Sequence, residues 1–176
     1  LGQGAKNYVL SEFQSLGTNF IVIQPGKTDK KGALGPPIGS SQRKMTLADV
    51  MALEKRALNL EAVSGVVLAA ASIRYEEMVS NANIFGTNDQ FPKIINLPVE
   101  SGEFFTREED DSGRRVVVLG YNIKQNLFGS EFAIGRAVKI NNGEFRVVGV
   151  LKEAGQKLGF NLDEIALIPT RAALRI

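Results

Sequence analysis

Apolar residues at Val9, Leu10, Phe13 and Leu16 recur at helical spacing from Ala5 onward, and Gly17 follows where a helix often ends on a left-handed glycine, which predicts an opening helix. From Asn19 to Gln24 the pattern changes to an unbroken β-branched and aromatic run (Phe20, Ile21, Val22, Ile23) stopped by Pro25-Gly26, the pattern of a buried strand and a turn. Lys27 to Lys44 is glycine-, serine- and lysine-rich with adjacent Pro36 and Pro37, and predicts a long mobile loop. Thr46 then offers an N-cap with Asp49 three residues on. Leu47, Val50, Met51, Leu53, Ala57 and Leu58 form the stripe of a helix that should pack on a sheet.

Two strands are predicted over Gly65 to Ile73 and Glu76 to Phe85, with the break near Arg74-Tyr75 and with Met78, Ala82 and Ile84 on one face. After Gly86 the composition turns polar (Thr87, Asn88, Asp89, Gln90) before a further predicted strand around Ile94 to Val99, and this break is the expected subdomain boundary. Val116 to Leu119 reads as a strand. A short helix follows, carrying Ile123, Leu127 and Phe128 and ended by Gly129. Asn142-Gly143 suits a type I′ turn joining Ala137 to Asn141 with Glu144 to Leu151, in which Val138, Ile140, Phe145 and Val147 alternate with polar neighbours. Glu164 to Ile168 is the last predicted strand, and Pro169-Thr170 opens a helix that stops at Ile176.

Composition removes whole classes of chemistry. The 176 residues contain no Cys and no His, so a thiolate nucleophile, a His-assisted triad, an imidazole shuttle and a Cys/His zinc site are excluded, and no disulfide framework is possible. Lys and Arg number 21 against 19 Asp and Glu, a net charge of +2 scattered along the chain, where nucleic-acid binding needs a basic stripe. The longest apolar stretch, Val63 to Ser72, is far short of the roughly 18–20 residues of a membrane span. The chain starts with Leu1 and both its ends cut through predicted helices, so it is expected to be a piece of a longer polypeptide.

The remaining candidates are each matched by a plainer reading. Glu108, Glu109, Asp110 and Asp111 are the residue type for a hard cation, but consecutive carboxylates diverge, and a solvated helix start balanced by Arg107, Arg114 and Arg115 accounts for them. Glu76, Glu77, Glu100 and Glu103 could supply paired carboxylates for glycoside hydrolysis only if folding brought two together. Gly2-Gln3-Gly4 and the glycines from Gly32 to Gly39 lack the strand-to-helix setting of a phosphate loop. Without histidine, Ser40, Ser41 and Ser64 could act as nucleophiles only with a lysine base. The apolar face with Tyr8 and Phe13 is a docking face on its own domain, a membrane-surface anchor or, as the cut terminus favours, the end of an excised transmembrane helix. No catalytic, cofactor or metal residue is assigned, and substrate- or partner-binding residues are left open.

Several segments, in order, resemble the MacB-type periplasmic core domain of ABC transporter permeases. The opening helix and Gly17-Thr18-Asn19-Phe20-Ile21-Val22-Ile23-Gln24-Pro25-Gly26 look like the family's stalk helix and first strand, and Met45-Thr46-Leu47-Ala48-Asp49 like its helix start. Ser101-Gly102-Glu103-Phe104-Phe105-Thr106 with Asp110 resembles its "GR.F...D" element, with Glu103 in place of the usual arginine. Val116 to Gly120, Leu127-Phe128-Gly129, Ile134-Gly135-Arg136, Phe145 to Leu151 and Asp163 to Pro169 continue the pattern across nearly the whole chain.

The resemblance implies an α+β fold: a βα-type porter subdomain with an inserted, mainly β sabre-like subdomain. The stalk end and first porter part are expected over 1–86, the insert over 87–165, and the start of a truncated second porter part over 166–176. It also implies a non-catalytic extracytoplasmic domain, periplasmic in a Gram-negative source, of a membrane-integral permease. That domain would couple ATP-driven motion to export of peptides, lipoproteins or amphiphilic small molecules. Implied partners are a second permease subunit in a homodimer or heterodimer, a cytoplasmic ATPase domain or subunit, and a membrane-fusion adaptor. No cofactor and no nucleic acid are implied. The alternative is a passive ligand-binding or adaptor-docking module.

Overall fold

The computed structural model describes residues 21–23, 45–157 and 160–176. Helix α1 (Leu47–Arg56) starts at Thr46, whose hydroxyl accepts the Asp49 N–H while the Asp49 carboxylate accepts the Thr46 N–H, the reciprocal cap that the sequence signalled. Strands β1 (Val67–Tyr75) and β2 (Met78–Thr87) form an antiparallel hairpin with Tyr75 opposite Met78, so the turn is Glu76-Glu77, and Glu76 takes φ 49°. Next come α2 (Phe91–Ile95), β3 (Val99–Gly102), α3 (Arg107–Ser112), β4 (Val116–Leu119), α4 (Tyr121–Phe128), β5 (Ala137–Ile140) and β6 (Gly143–Leu151). A two-stranded ribbon of β7 (Gln156–Lys157) and β8 (Phe160–Asn161), a 3₁₀ turn at Leu162–Glu164, β9 (Ile165–Pro169) and α5 (Thr170–Ala173) complete the fold.

The large sheet closes on itself. β2 runs parallel to β9, β9 antiparallel to β4, β4 parallel to β6, and the first half of β6 antiparallel to β5, which returns to β1 through Ile73↔Ile140 and Arg74↔Lys139. β3 pairs along the second half of β6, on the same side as β5. The sheet thus joins β1 and β2, which end at Thr87, to β3–β6, which follow it.

Alternation of side chains across this sheet gives two cores. One is filled by Ile73, Ile84, Val117, Leu119, Ile140, Phe145, Val147 and Ile168 and is packed against Ile123, Leu127 and Phe128 of α4. The other, on the opposite face, holds Phe85, Val118, Ile165 and Leu167 under Phe91 and Ile95 of α2, with Leu97, Phe105 and Leu162 from the connections. β4 and β9 are buried on both faces, which is why Val116 to Leu119 and Ile165 to Pro169 are continuous apolar runs, whereas β5 alternates buried and exposed positions.

Four expectations need correction. Residues 21–23 have no strand pairing and expose Ile21, Val22 and Ile23; the rest of that predicted strand, the opening helix and the Lys27–Lys44 loop lie outside the described residues. α1 buries none of its residues. It leans on the chain returning from it, where Val50 touches Gly65, and Leu58 is 94% exposed. The strand expected from Ile94 to Val99 is instead the end of α2: Pro92 favours a first helical turn, Asn96 ends it at φ 44° with its N–H on the Pro92 carbonyl, and pairing starts only at Val99. The β5–β6 turn is Asn141-Asn142, one residue early, because Gly143 already pairs with Ile140. A side chain at Gly143 would meet the Phe145 ring at 2.9 Å.

Candidate functional site

Where the chain enters the sheet and where it leaves lie at the same end. Val67, the first residue of β1, pairs with Gly86 near the end of β2, and Gly86 pairs with Ile168 near the end of β9. The Glu76-Glu77 turn marks the opposite end. The segment before β1 is hung on the residues just after β2. The Ser64 and Thr87 hydroxyls share a hydrogen bond of 2.8 Å, the Asn88 amide donates to the Val63 carbonyl at 2.8 Å, and the Val63 N–H donates to Gln90 Oε1 at 3.0 Å. Gln90 Nε2 donates to Glu54 Oε1 of α1 at 2.9 Å.

Local sequence explains why these side chains point there. Thr87 is fully buried at the last rung of β2, facing Pro169 in register. The chain then turns at once, with the Gln90 N–H on Asn88 Oδ1 and the Phe91 N–H on the Asn88 carbonyl, a polar turn closed by Pro92. Gln90 is therefore fixed at its backbone while its side-chain amide spans two segments, accepting from one and donating to the other.

The outgoing side is packed as closely. A Cβ on Gly86 would lie 2.2 Å from the Ala173 Cβ of α5, so strand and helix approach closer than any side chain permits. The Thr170 N–H, an unpaired donor at the start of α5, goes to Asp110 Oδ1 of α3 at 3.0 Å. Half-burial raises the Asp110 carboxyl above its ordinary value, with Asp111 and Asp89 adding to the rise and the Thr170 N–H and Arg171 opposing it.

The acidic run lies on α3, where Glu109 completes a capping box with Thr106 and Asp110 reaches Thr170; Arg107 and Asp111 form an exposed pair at 3.7 Å. Glu76 and Glu77 share the far turn, whereas Glu100 lies on β3 and Glu103 just after it, so the two pairs sit on separate elements. Ser64 is engaged with Thr87 and the Gly65 carbonyl. Ser41 has Lys44 three residues on, and both lie outside the described residues, as do Ser40, Tyr8, Phe13 and the two glycine clusters. An open groove of about 500 Å³ beside α3 is lined by Glu103, Phe104, Glu108, Ile134 and Arg146. No helix among the described residues is long and apolar enough to cross a membrane. Gly86, Asn88, Gln90 and Ala173 carried no motif; the one signal for them was the polar break after Gly86.

Comparison with known proteins adds the lineage. A family model described as the MacB-like periplasmic core domain matches residues 1–176. The chain is 33% identical over 174 residues to a pyoverdine export ATP-binding/permease protein of Pseudomonas aeruginosa, covering 98% of this chain and 25% of that protein. It is 32% identical over 170 residues to a macrolide export ATP-binding/permease protein of Wolinella succinogenes, covering 96% of this chain and 25% of that one. The chain thus spans a quarter of the length of these relatives. Its fold matches the periplasmic region of MacB from Actinobacillus actinomycetemcomitans at TM-score 0.72 and 20% identity, over 96% of this chain and 72% of that one. The extracellular domain of the ABC-type transporter YknZ from Gram-positive bacteria matches at TM-score 0.62 and 25% identity, over 72% of this chain and 63% of that one.

Proposed function

Because the chain belongs to the MacB-like periplasmic core domain family, we propose that it is the extracytoplasmic domain of an ABC transporter permease subunit. In this reading it transmits ATP-driven motion of cytoplasmic domains to an export step. The relatives' names, which pair an ATP-binding part with a permease, support the setting. One observation carries the mechanical part: the chain enters and leaves the sheet at one end, and the incoming segment is held there by four hydrogen bonds. A rigid body gripped at one end moves as a unit when its support moves, which is how domain rotations are conveyed.

The exported compounds are peptides, lipoproteins or amphiphilic small molecules. The working assembly pairs the domain with that of a second permease subunit on the extracytoplasmic face, with a cytoplasmic ATPase domain or subunit and a membrane-fusion adaptor. The two-part organisation divides a porter part, residues 1–86 and 166–176, from an inserted part, residues 87–165; β1, β2 and most of β9 then belong to the porter part and pair into one sheet with β3–β6 of the insert.

The test uses the full-length transporter in lipid nanodiscs with a spin label at Glu77→Cys, at the far turn. ATP with vanadate is expected to shift the distance between labels in the two subunits. An unchanged distance in a transporter that hydrolyses ATP would sink mechanotransmission and leave passive ligand binding or adaptor docking.

A further inference from the structure

We infer that Asn88 and Gln90 are the positioning residues that gear α1 to the outgoing helix α5, so that force between the incoming and outgoing chain crosses Gly86–Gln90 and bypasses most of the sheet. The inference rests on the proposed function for its biological sense, and on the geometry for its substance. The four side-chain hydrogen bonds between residues 54–64 and the sheet body all end on residues 87–90. The same short stretch faces the outgoing chain, since Thr87 is in register with Pro169 and Gly86 abuts Ala173.

Distance decides which route dominates. Val67, Gly86 and Ile168 are successive neighbours across three strands, so the incoming and outgoing chain are two strand spacings apart, about 10 Å. The alternative route runs up the nine residues of β1, roughly 30 Å, and back through the ring of strands. Two elastic links in parallel share a load in proportion to their stiffness, and the short, packed link is the stiffer. The ring is then carried by the junction without lying in its path.

Gln90 is the element that can be switched without unfolding anything. Its Oε1 serves Val63 and its Nε2 serves Glu54, so Gln90→Glu keeps an acceptor for the Val63 N–H and sets a second carboxylate against Glu54. Adding Glu54→Gln restores a donor–acceptor pair with its direction reversed. The chain has no cysteine, so labels introduced at Ala48→Cys on α1 and Leu174→Cys after α5 are unique within it.

Measured by pulsed electron resonance on the 176-residue chain, the unaltered junction should give a narrow label-to-label distance distribution. Q90E should lose that narrowness with its melting midpoint unchanged, and E54Q/Q90E should regain it. A far-end control, E76N/E77G, should stay narrow. A distribution already broad in the unaltered chain, a narrow one in Q90E, or a double variant that stays broad would each overturn the assignment. None of these readouts involves transport, so a transporter whose domains fail to move on ATP binding would refute the proposed function and leave the junction standing.

Discussion

Replacing Gly86 by Ala tests the closeness of β2 to α5 most directly. Contacting carbon atoms sit about 3.5–4.0 Å apart, whereas the new methyl would lie 2.2 Å from the Ala173 Cβ and 3.2 Å from the Val67 Cβ. Strand and helix must separate by roughly 1.5 Å to admit it, and Gly86 is not in the left-handed region, so strain in the backbone adds nothing. Ala173 is buried on that contact. Overpacking of this kind costs about 1–3 kcal/mol, which at about 2–4 °C per kcal/mol for a chain of this size lowers the melting midpoint by roughly 2–12 °C. The compensating variant G86A/A173G removes the opposing methyl and should recover most of the loss, leaving about 0.5–1 kcal/mol for the glycine introduced into α5. Differential scanning calorimetry on both proteins decides the matter. An unaltered midpoint in G86A, or a double variant no more stable than the single one, would refute steric closeness as the reason for glycine here.

Two further outcomes are expected. Asp110, with its folded value raised above the ordinary 3.8 chiefly by burial, binds its proton more tightly when folded. Its contribution to stability is therefore full below 3.8 and lost as pH rises through the folded value. Asp110→Asn keeps an oxygen for the Thr170 N–H without the charge, so its midpoint should exceed that of the unaltered chain near pH ~7 and converge with it near pH ~3; a gap independent of pH would contradict the argument. Asp163 is buried and accepts the N–H groups of Ala154 at 2.8 Å and Gly155 at 2.9 Å. Asp163→Ala should cost about 2–4 kcal/mol in urea denaturation and speed hydrogen exchange at those two amides, and amides that keep their protection would show that the contact is dispensable.

How much of this was legible depended on the range of the determining interaction. Local signals were read well: the Thr46/Asp49 cap, the Gly129 stop after α4, and β4 and β9 as continuous apolar runs, since burial on both faces leaves no polar position to mark. Errors arose where two local readings competed. Ile94 to Val99 has a strand-like composition, but Pro92 and Asn96 impose a helical turn on its first half. The glycine of Asn142-Gly143 serves packing under Phe145 rather than the turn. The junction was invisible because its contacts join residues 23 to 36 positions apart through ordinary amides and hydroxyls. Such groups form no spacing motif. The resemblance named the family, and only the fold brought Val63, Glu54 and Gln90 together.

The closeness of Val67 and Ile168, with Gly86 alone between them, also bears on how the sheet could be re-threaded. Two ends about 10 Å apart fit within the span of an ordinary surface loop, so a short linker could join the chain before β1 to the chain after β9 without disturbing the ring of strands. The Glu76-Glu77 turn, at the other end, could then be opened as the new pair of termini without losing a strand pairing.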